Sequence, residues 1–463
     1  MTHCAKCISP IDGSLYAERP FLNEPQIAKA IEFARQAQHH WRMVSLPERI
    51  EVCQQAVNAM MSMEDEIAIE LAWQMGRPIR YGGGELNGFQ ERSVAMLELA
   101  ESALAPVVPP EKTGFVRYIQ REPLGLVFTI APWNYPFLTA VNSIFPALVA
   151  GNSVLLKHAQ QTMLVGERFA QAFQQAGLPE GVFQNLVLDH PSTERIVASG
   201  AVQHVCFTGS VAGGRHMEKA AAGTFATLGL ELGGKDPAYV RSDANLSHAV
   251  ENLVDGAYFN SGQSCCGIER IYVDQDVFEP FVQQFVELTK QYQLGNPLET
   301  ETTLGPLAKA SAVAPIRQQV ASAVAAGATA HIAPSDFPAF EQDSAYLAPQ
   351  VLTDVTHKME VMTEETFGPV VGIMSVHSED EAIHLMNDSV YGLTASIWTA
   401  DVDAATRIGQ RLETGTVFMN RADYLDPYLA WTGIKQTGHG CTLSRIGYES
   451  LTRPKSFHFR TSV

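Results

Sequence analysis

Leu126-Val-Phe-Thr-Ile130 is an apolar run of strand length, and Pro132-Trp-Asn-Tyr-Pro-Phe137 follows it at once. An unbroken apolar strand fits a sheet covered on both faces. The run opens an alternation that continues to Gly234. Strands are expected at Leu126–Ile130, Ser153–Lys157, Phe183–Leu188, Val202–Phe207 and Thr224–Glu231, with helices near 135–149, 162–176, 192–199 and 213–222. Such alternation implies a mostly parallel sheet with helices on both sides, in outline a dinucleotide-binding architecture. No Gly-x-Gly-x-x-Gly follows any of these strands. Gly209-Ser-Val-Ala-Gly-Gly214 instead sets glycines five apart at a strand-to-helix junction, a spacing that turn sterics alone can require.

Downstream, from Lys235 to about Asn420, a second alternating region follows. Ser247–Phe259, Val277–Tyr292 and Ile316–Ala326 read as helices, and Arg270–Asp274, Val370–Val376 and Ala395–Thr399 as strands. Upstream, Glu24 to Glu101 reads as helical, with Gln26–Trp41 and Pro47–Met61 the clearest segments and Pro47 suited to a first turn. Tyr81-Gly-Gly-Gly84 is expected to break that helical region; a phosphate loop is disfavoured, since no strand precedes it and no Lys-Ser/Thr follows. Residues 1–20 read as a surface segment. Val107-Val-Pro-Pro110 is a stiff bridge into Thr113–Glu122, whose alternating pattern suggests a two-sided strand.

A chain of 463 residues is too long for one ordinary core and suggests two large domains. Hydrophobic residues at 46% and charged residues at 18% place it among globular proteins and exclude wholesale disorder. The net charge of −18 argues against a nucleic-acid or anionic-membrane surface. Seven cysteines, at 4, 7, 53, 206, 265, 266 and 441, are an odd number without a regular framework, which argues for a reducing compartment. Cys4 and Cys7 form a Cys-x-x-Cys, but no second pair follows at metal spacing, so no metal is expected. No secretory signal or membrane-length apolar run is evident, and a cytoplasmic location is the expectation.

Phe259-Asn-Ser-Gly-Gln-Ser-Cys-Cys266 carries the chemistry. A thiol in a Gly-containing turn after a helix is placed to be exposed and nucleophilic, although an isolated Cys is more often a small buried hydrophobe. A second stretch, Leu230-Glu-Leu-Gly-Gly-Lys235, lies upstream of it. Together these resemble the aldehyde dehydrogenase superfamily. Further segments resemble its motifs in the family's order: Pro132–Phe137, Phe207-Thr-Gly-Ser210, Glu364-Glu-Thr-Phe-Gly-Pro-Val370 and Asn387-Asp-Ser-Val-Tyr-Gly-Leu393. The resemblance spans roughly residues 20 to 460.

The resemblance implies an α/β protein with two mostly parallel-sheet domains, one Rossmann-like for the cofactor and one bearing the thiol, plus a small β oligomerisation arm. Its boundaries would be 1–111 and 125–234 for the cofactor domain, 235–443 for the catalytic domain, and 112–124 with 444–463 for the arm. A homodimer or homotetramer is then expected. Cys265 matches the nucleophile, with Cys266 its less favoured rival. Glu231 matches the general base, where burial at a strand end would raise its pKa; a salt bridge to Lys235 is the alternative. Asn134 matches the oxyanion donor, against the plainer reading of a helix cap.

On the same footing, Ala131, Trp133, Lys157, Gln160, Gly209, Ser210, Gly214, Leu232, Glu365 and Phe367 would contact NAD or NADP. Tyr135, Leu138, Asn142, Phe259, Ser264 and Cys266 would line the substrate pocket. Gln160 stands where NAD-preferring relatives often carry an acid, so both cofactors are expected. The family's Gly-Arg-Glu near the C-terminus is absent: the chain reads Gly438-His-Gly-Cys-Thr442, which puts in doubt any proton path using that Glu. Relatives acting on succinic semialdehyde resemble one another in two arginines, at positions that are Asn142 and Phe259 here. An uncharged aromatic or aliphatic aldehyde is therefore the expected substrate. The competing readings are a CoA-acylating relative, which commonly lacks the Glu of Glu-Leu-Gly-Gly-Lys, and a non-enzymatic protein on the same scaffold.

Overall fold

A computed structural model describes residues 4–337, 344–422 and 424–462. The segment expected to be a plain surface stretch is in fact paired. Strands β1 (Cys4–Ile8) and β2 (Leu15–Pro20) form an antiparallel hairpin. Cys7 is fully buried there, its thiol donating to the Gln161 carbonyl at 3.0 Å, and burial pushes its pKa up to about 12. The first three residues lie outside the described ones.

Four helices follow: α1 (Glu24–Trp41), α2 (Leu46–Met61), α3 (Glu64–Met75) and α4 (Gly82–Leu104). Asn23 with Gln26, and Ser45 with Glu48, make reciprocal capping boxes, and Pro25 and Pro47 occupy first turns, which fixes where α1 and α2 begin. The glycine triplet does not break the helical region. It forms the first turn of α4, because α3 passes so close that a Cβ on Gly82 would lie 2.4 Å from that of Ala68.

The first sheet runs β8–β7–β4–β5–β6 in parallel, from β4 (Leu126–Ile130), β5 (Ser153–Lys157), β6 (Phe183–Asn185), β7 (His204–Thr208) and β8 (Thr227–Glu231). Helices α5 (Pro136–Val149), α6 (Met163–Gln175), α7 (His190–Ala198) and α8 (Val211–Ala221) connect them. β8 starts later than expected because Phe225 is fully exposed with φ of 62°, a turn conformation that a strand cannot include. The chain winds outward from β4 through β5 to β6 and then returns to β4's other side as β7. Ligand crevices form at such a reversal, beyond the carboxyl ends of the strands. Asn134 follows β4, Gly209 follows β7 and Glu231 ends β8, so all three stand at this rim.

The second sheet has the order β11–β12–β13–β10–β9–β15–β16. Its strands are β9 (Asp236–Val240), β10 (Ile268–Asp274), β11 (Thr329–Ala330), β12 (Gln350–Thr353), β13 (Val370–Val376), β15 (Thr394–Trp398) and β16 (Thr416–Met419), with β11 alone antiparallel. Between them, β14 (Tyr391–Gly392) pairs with β17 (Ile434–Lys435). Helix α9 (Leu246–Tyr258) leads to the thiols. The chain then crosses back: β18 (Gly438–His439) pairs antiparallel with Glu231 and Leu230 of β8. Finally β3 (Phe115–Pro123) and β19 (Thr452–Arg460) form a nine-pair antiparallel ribbon. No helix among the described residues is long and apolar enough to cross a membrane.

Candidate active site

After α9, Asn260 and Ser261 adopt left-handed backbone, with φ of 55° and 56°. Side chains hold this costly turn. Asn260 donates to the carbonyls of Asn134 at 3.1 Å and Gln263 at 3.2 Å, and Ser261 donates to Gly305 at 2.8 Å. The side-chain oxygen of Gln263 accepts from the Ala308 N–H at 2.9 Å. Cys265 follows two residues later. Its carbonyl lies over Gly234, where a Cβ would come within 2.1 Å, and a Cβ on Gly233 would meet the Glu365 carboxylate at 2.5 Å. The two glycines of Glu-Leu-Gly-Gly-Lys are there because the backbone runs directly beneath the thiol loop. Lys235 is drawn away to Glu269 and Thr366, so the alternative Glu231–Lys235 ion pair does not form.

Asn134 is buried, at 5% exposure, and its side-chain amide donates to the Gln263 carbonyl at 3.2 Å. It is not the cap of α5. Glu85 of α4 takes that part, accepting the N–H groups of Phe137 and Leu138 at 2.9 and 3.1 Å, where a carboxylate also suits the helix dipole. Arg77 pairs with Glu85 and donates to the Asn134 carbonyl at 2.6 Å. A buried ion pair thus fixes the turn on which Asn134 stands.

Two cavities meet at the thiol. The larger, of about 570 Å³, is lined by all six residues expected of a substrate pocket: Tyr135, Leu138, Asn142, Phe259, Ser264 and Cys266. The smaller, of about 240 Å³, gathers Trp133, Gly209, Ser210, Leu232, Glu365 and Phe367 with Asn134. Cys265, Glu231 and Thr208 line both. Ala131 lines neither; it faces a third space of about 30 Å³ behind Glu231, with Thr129, Ser143, Cys206, Cys441 and Thr442. Lys157, Gln160 and Gly214 line none of the three. Gly214 packs under Leu232, where a Cβ would lie 2.6 Å from its methyl carbon.

Burial raises the pKa of Glu231, opposed by hydroxyl donors from Thr442 at 2.6 Å and Thr208 at 3.2 Å and by the nearby Arg92. Thr442 stands in the stretch where the resemblance lacks its Arg-Glu. A hydroxyl that touches Glu231 occupies that place. A hydrogen bond shared with Cys266, then burial, holds the Cys265 thiol well above its ordinary pKa. Cys266 itself is buried beside the Ser264 hydroxyl at 3.4 Å. Burial lifts Glu365 to about 7, although it accepts the Gly234 N–H at 2.9 Å.

The groups around a dinucleotide site are mixed in their fit. The junction after β7 presents the N-terminus of α8, capped by Ser210, to the smaller cavity, an arrangement suited to phosphate. Lys157 is buried and lowered to about 8 by desolvation, with no carboxylate partner among the described residues. Trp133 and Phe367 meet edge to face at 5.6 Å. These fit NAD or NADP. Gln160 is instead exposed and donates to the Lys6 carbonyl at 2.9 Å. His158 is buried between the Pro136 carbonyl and the Thr162 hydroxyl, lowered to about 4, and stays neutral.

No sequence motif marks the residues that α4 and the C-terminal segment bring to the site. Glu91 and Arg92 line the larger cavity, as do Tyr424, Leu425 and Trp431. Tyr424 donates to Glu91. Arg92 overturns the premise that this pocket lacks a cation, since it stands beside Asn142 although neither Asn142 nor Phe259 is an arginine. No spacing signal links position 92 to the motifs. Thr442, by contrast, sat at the visible departure from the family pattern.

A family model described as aldehyde dehydrogenase family matches residues 2–457. The chain is 34% identical over 455 residues to a succinate-semialdehyde dehydrogenase [NADP(+)] of Deinococcus radiodurans, covering 97% of this chain and 93% of that protein. It is 32% identical over 453 residues to the succinate semialdehyde dehydrogenase [NAD(P)+] Sad of Escherichia coli, covering 96% of each. Among solved structures, a succinic semialdehyde dehydrogenase from Streptococcus pyogenes with NADP+ superposes with a TM-score of 0.93 at 27% identity, covering 98% of this chain and all of that one.

Proposed function

We propose, from the premise that this chain belongs to the aldehyde dehydrogenase family, that it oxidises a carboxylate-bearing semialdehyde of the succinic semialdehyde type to the diacid. That it is an NAD(P)-dependent aldehyde dehydrogenase follows from its relatives; the substrate class and the residue roles are our reading. One observation carries those roles: Cys265 and Glu231, with Thr208 beside them, line both cavities.

The Cys265 sulfur, once its proton has passed to solvent, adds to the aldehyde carbon entering through the larger cavity. The second N–H of the Asn134 amide, free of Gln263, holds the oxygen as it gains charge. The dinucleotide, when bound, supplies the hydride acceptor. Loss of hydride leaves a thioester on Cys265. Glu231 then takes a proton from water, the hydroxide attacks the acyl carbon, and the carbon–sulfur bond breaks to give the acid and the thiol. A raised carboxylate pKa suits that step. The presence of Glu231 favours water over CoA as the acceptor.

The semialdehyde reading replaces the expectation of an uncharged aldehyde. That expectation rested on there being no cation in the pocket, which Arg92 contradicts, and the relatives' printed activities point the same way. The division of roles among residues 1–111 with 125–234, 235–443, and the ribbon of 112–124 with 444–463 belongs to the same proposal. So does assembly through that ribbon into a dimer or tetramer, which its exposed Val116 and Phe459 support.

Reduced-nicotinamide absorbance tests the reading on a panel containing succinic semialdehyde, butanal and benzaldehyde, with and without CoA. Succinic semialdehyde should give the highest kcat/KM, without CoA dependence. A uniformly better neutral aldehyde would remove the substrate class, and a CoA requirement would replace the hydrolytic step.

A further inference from the structure

We infer that Arg92 anchors the far carboxylate of the substrate, and so selects aldehydes that carry an acid at the opposite end. The inference rests on the semialdehyde reading, which takes Arg92 only as a cation in the pocket, and gives that residue, unmarked by any motif, a definite contact. Arg92 is only 8% exposed, yet it lines the larger cavity. One guanidinium nitrogen, Nη1, donates to the Leu138 carbonyl at 2.6 Å and the Asn142 side-chain oxygen at 3.3 Å. Among the described residues, Nε and Nη2 have no acceptor and no carboxylate lies within ion-pair distance.

The carboxylates around it are occupied elsewhere. Glu85 is bound to Arg77 and the start of α5. Glu231 is held by Thr442 and Thr208, and Glu91 by the Tyr424 hydroxyl. Arg77 shows what a compensated guanidinium looks like in the same protein: it has a carboxylate, a carbonyl and an amide oxygen as partners. Arg92 has the carbonyl and the amide oxygen but no carboxylate; a buried guanidinium without an anionic partner is costly, and it is the kind of group a ligand completes.

The shape of the ligand follows from the walls. Leu138, Phe259 and Trp431 line the same cavity as the thiol and the cation and offer apolar surface suited to a methylene chain. An aldehyde carbon at Cys265 then leaves the other end near Arg92, where a carboxylate can accept from two guanidinium N–H groups side by side. The carbonyl of Leu138 and the oxygen of Asn142 keep the fork in place. The class that fits is a short straight-chain aldehyde with a terminal carboxylate.

The test uses the full-length protein with R92Q and R92K. The primary readout is the ratio of kcat/KM for succinic semialdehyde to that for butanal. The ratio should fall on the order of 10²-fold in R92Q, and less in R92K, which keeps the charge but loses the fork. An equal loss for both aldehydes would make Arg92 a structural support and overturn the inference, as would an unchanged ratio. A second readout needs no aldehyde: protection of the Cys265 thiol from alkylation by added succinate. Protection should be present in wild type, weaker in R92K and lost in R92Q. Protection that survives in R92Q overturns the inference. If wild type prefers butanal while succinate protection still depends on Arg92, the anchor stands and the semialdehyde reading falls.

Discussion

The two cavities that share Cys265 are built in different ways. The smaller is walled mostly by short contiguous segments, Pro132 to Asn134, Thr208 to Ser210 and Glu231 to Gly233, with Glu365 and Phe367 from one more. Each lies at a strand end or just beyond it, and much of the fit is backbone against backbone. The larger takes side chains from the face of α4, from α5, from the thiol loop and from Tyr424 to Trp431. A wall made of strand ends tolerates little change, because glycines such as Gly233 and Gly234 leave no room for a methyl group. A wall made of helix faces can exchange one side chain for another without moving the backbone. On the roles proposed here, the nucleophile and base sit where the strand-end wall meets the larger cavity, and selectivity on the exchangeable helix faces.

The strongest way to break the comparison is at the common wall. Cys265→Ala should abolish aldehyde oxidation in a steady-state assay, while Cys266→Ala, which removes a thiol from the larger cavity only, should keep substantial turnover. The reverse result would move the nucleophile to the neighbouring residue and off the wall shared by both cavities.

Glu231→Gln should separate the two halves of the cycle. In rapid mixing a single burst of reduced cofactor is expected, followed by a steady rate lower by ~10²–10⁴-fold, as for loss of a general base. A normal steady rate would take Glu231 out of the hydrolytic step.

A gentler probe is Thr442→Val, which strips Glu231 of a hydroxyl donor that favours its charged form. Burial already raises that carboxylate, and losing the donor raises it further. A base works only when deprotonated, so activity lost on acidification should be lost at higher pH in the variant. The acid limb of the kcat profile moves up, and the rate on that limb falls ~10-fold, in line with the loss of one hydrogen bond to a charged group. An unmoved limb would mean that Thr442 does not set the base.

The smallest effect concerns the edge of the cofactor side. Gln160→Glu should tilt the kcat/KM ratio toward NAD by only several-fold, since one exposed charge is worth about 1 kcal/mol or less. Gln160 lines none of the three cavities at the thiol and bonds to Lys6, which makes even that shift a demanding test. A ratio that does not change would place cofactor choice with Lys157 or another group.

Several features were legible in the sequence because they are local. Strand limits at Leu126–Ile130, Ser153–Lys157 and Val370–Val376 come from short apolar runs between turn residues, and the structure keeps them to the residue. Misreadings arose where a distant neighbour decided the outcome. Gly82–Gly84 looked like a break, but Ala68 on α3 makes glycine necessary inside a helix. Residues 4 to 20 looked like a surface stretch, but Cys7 and Ala5 are buried against other parts of the chain.

The sequence alone determined the family and the alternating α/β order, and it singled out Cys265, Glu231 and Asn134 for the roles proposed here, because each belongs to a run whose residue types and spacing are set by its own backbone. Only the tertiary structure decided what stands around them. It took the cap of α5 from Asn134 and gave it to Glu85, put the Thr442 hydroxyl on Glu231, and set the Arg92 guanidinium in the larger cavity beside Cys265. Those partners lie 52, 211 and, for Arg92 with Asn142, 50 residues apart in the chain. Contacts across such distances are selected by packing and charge in three dimensions, and they leave no periodicity or spacing to read.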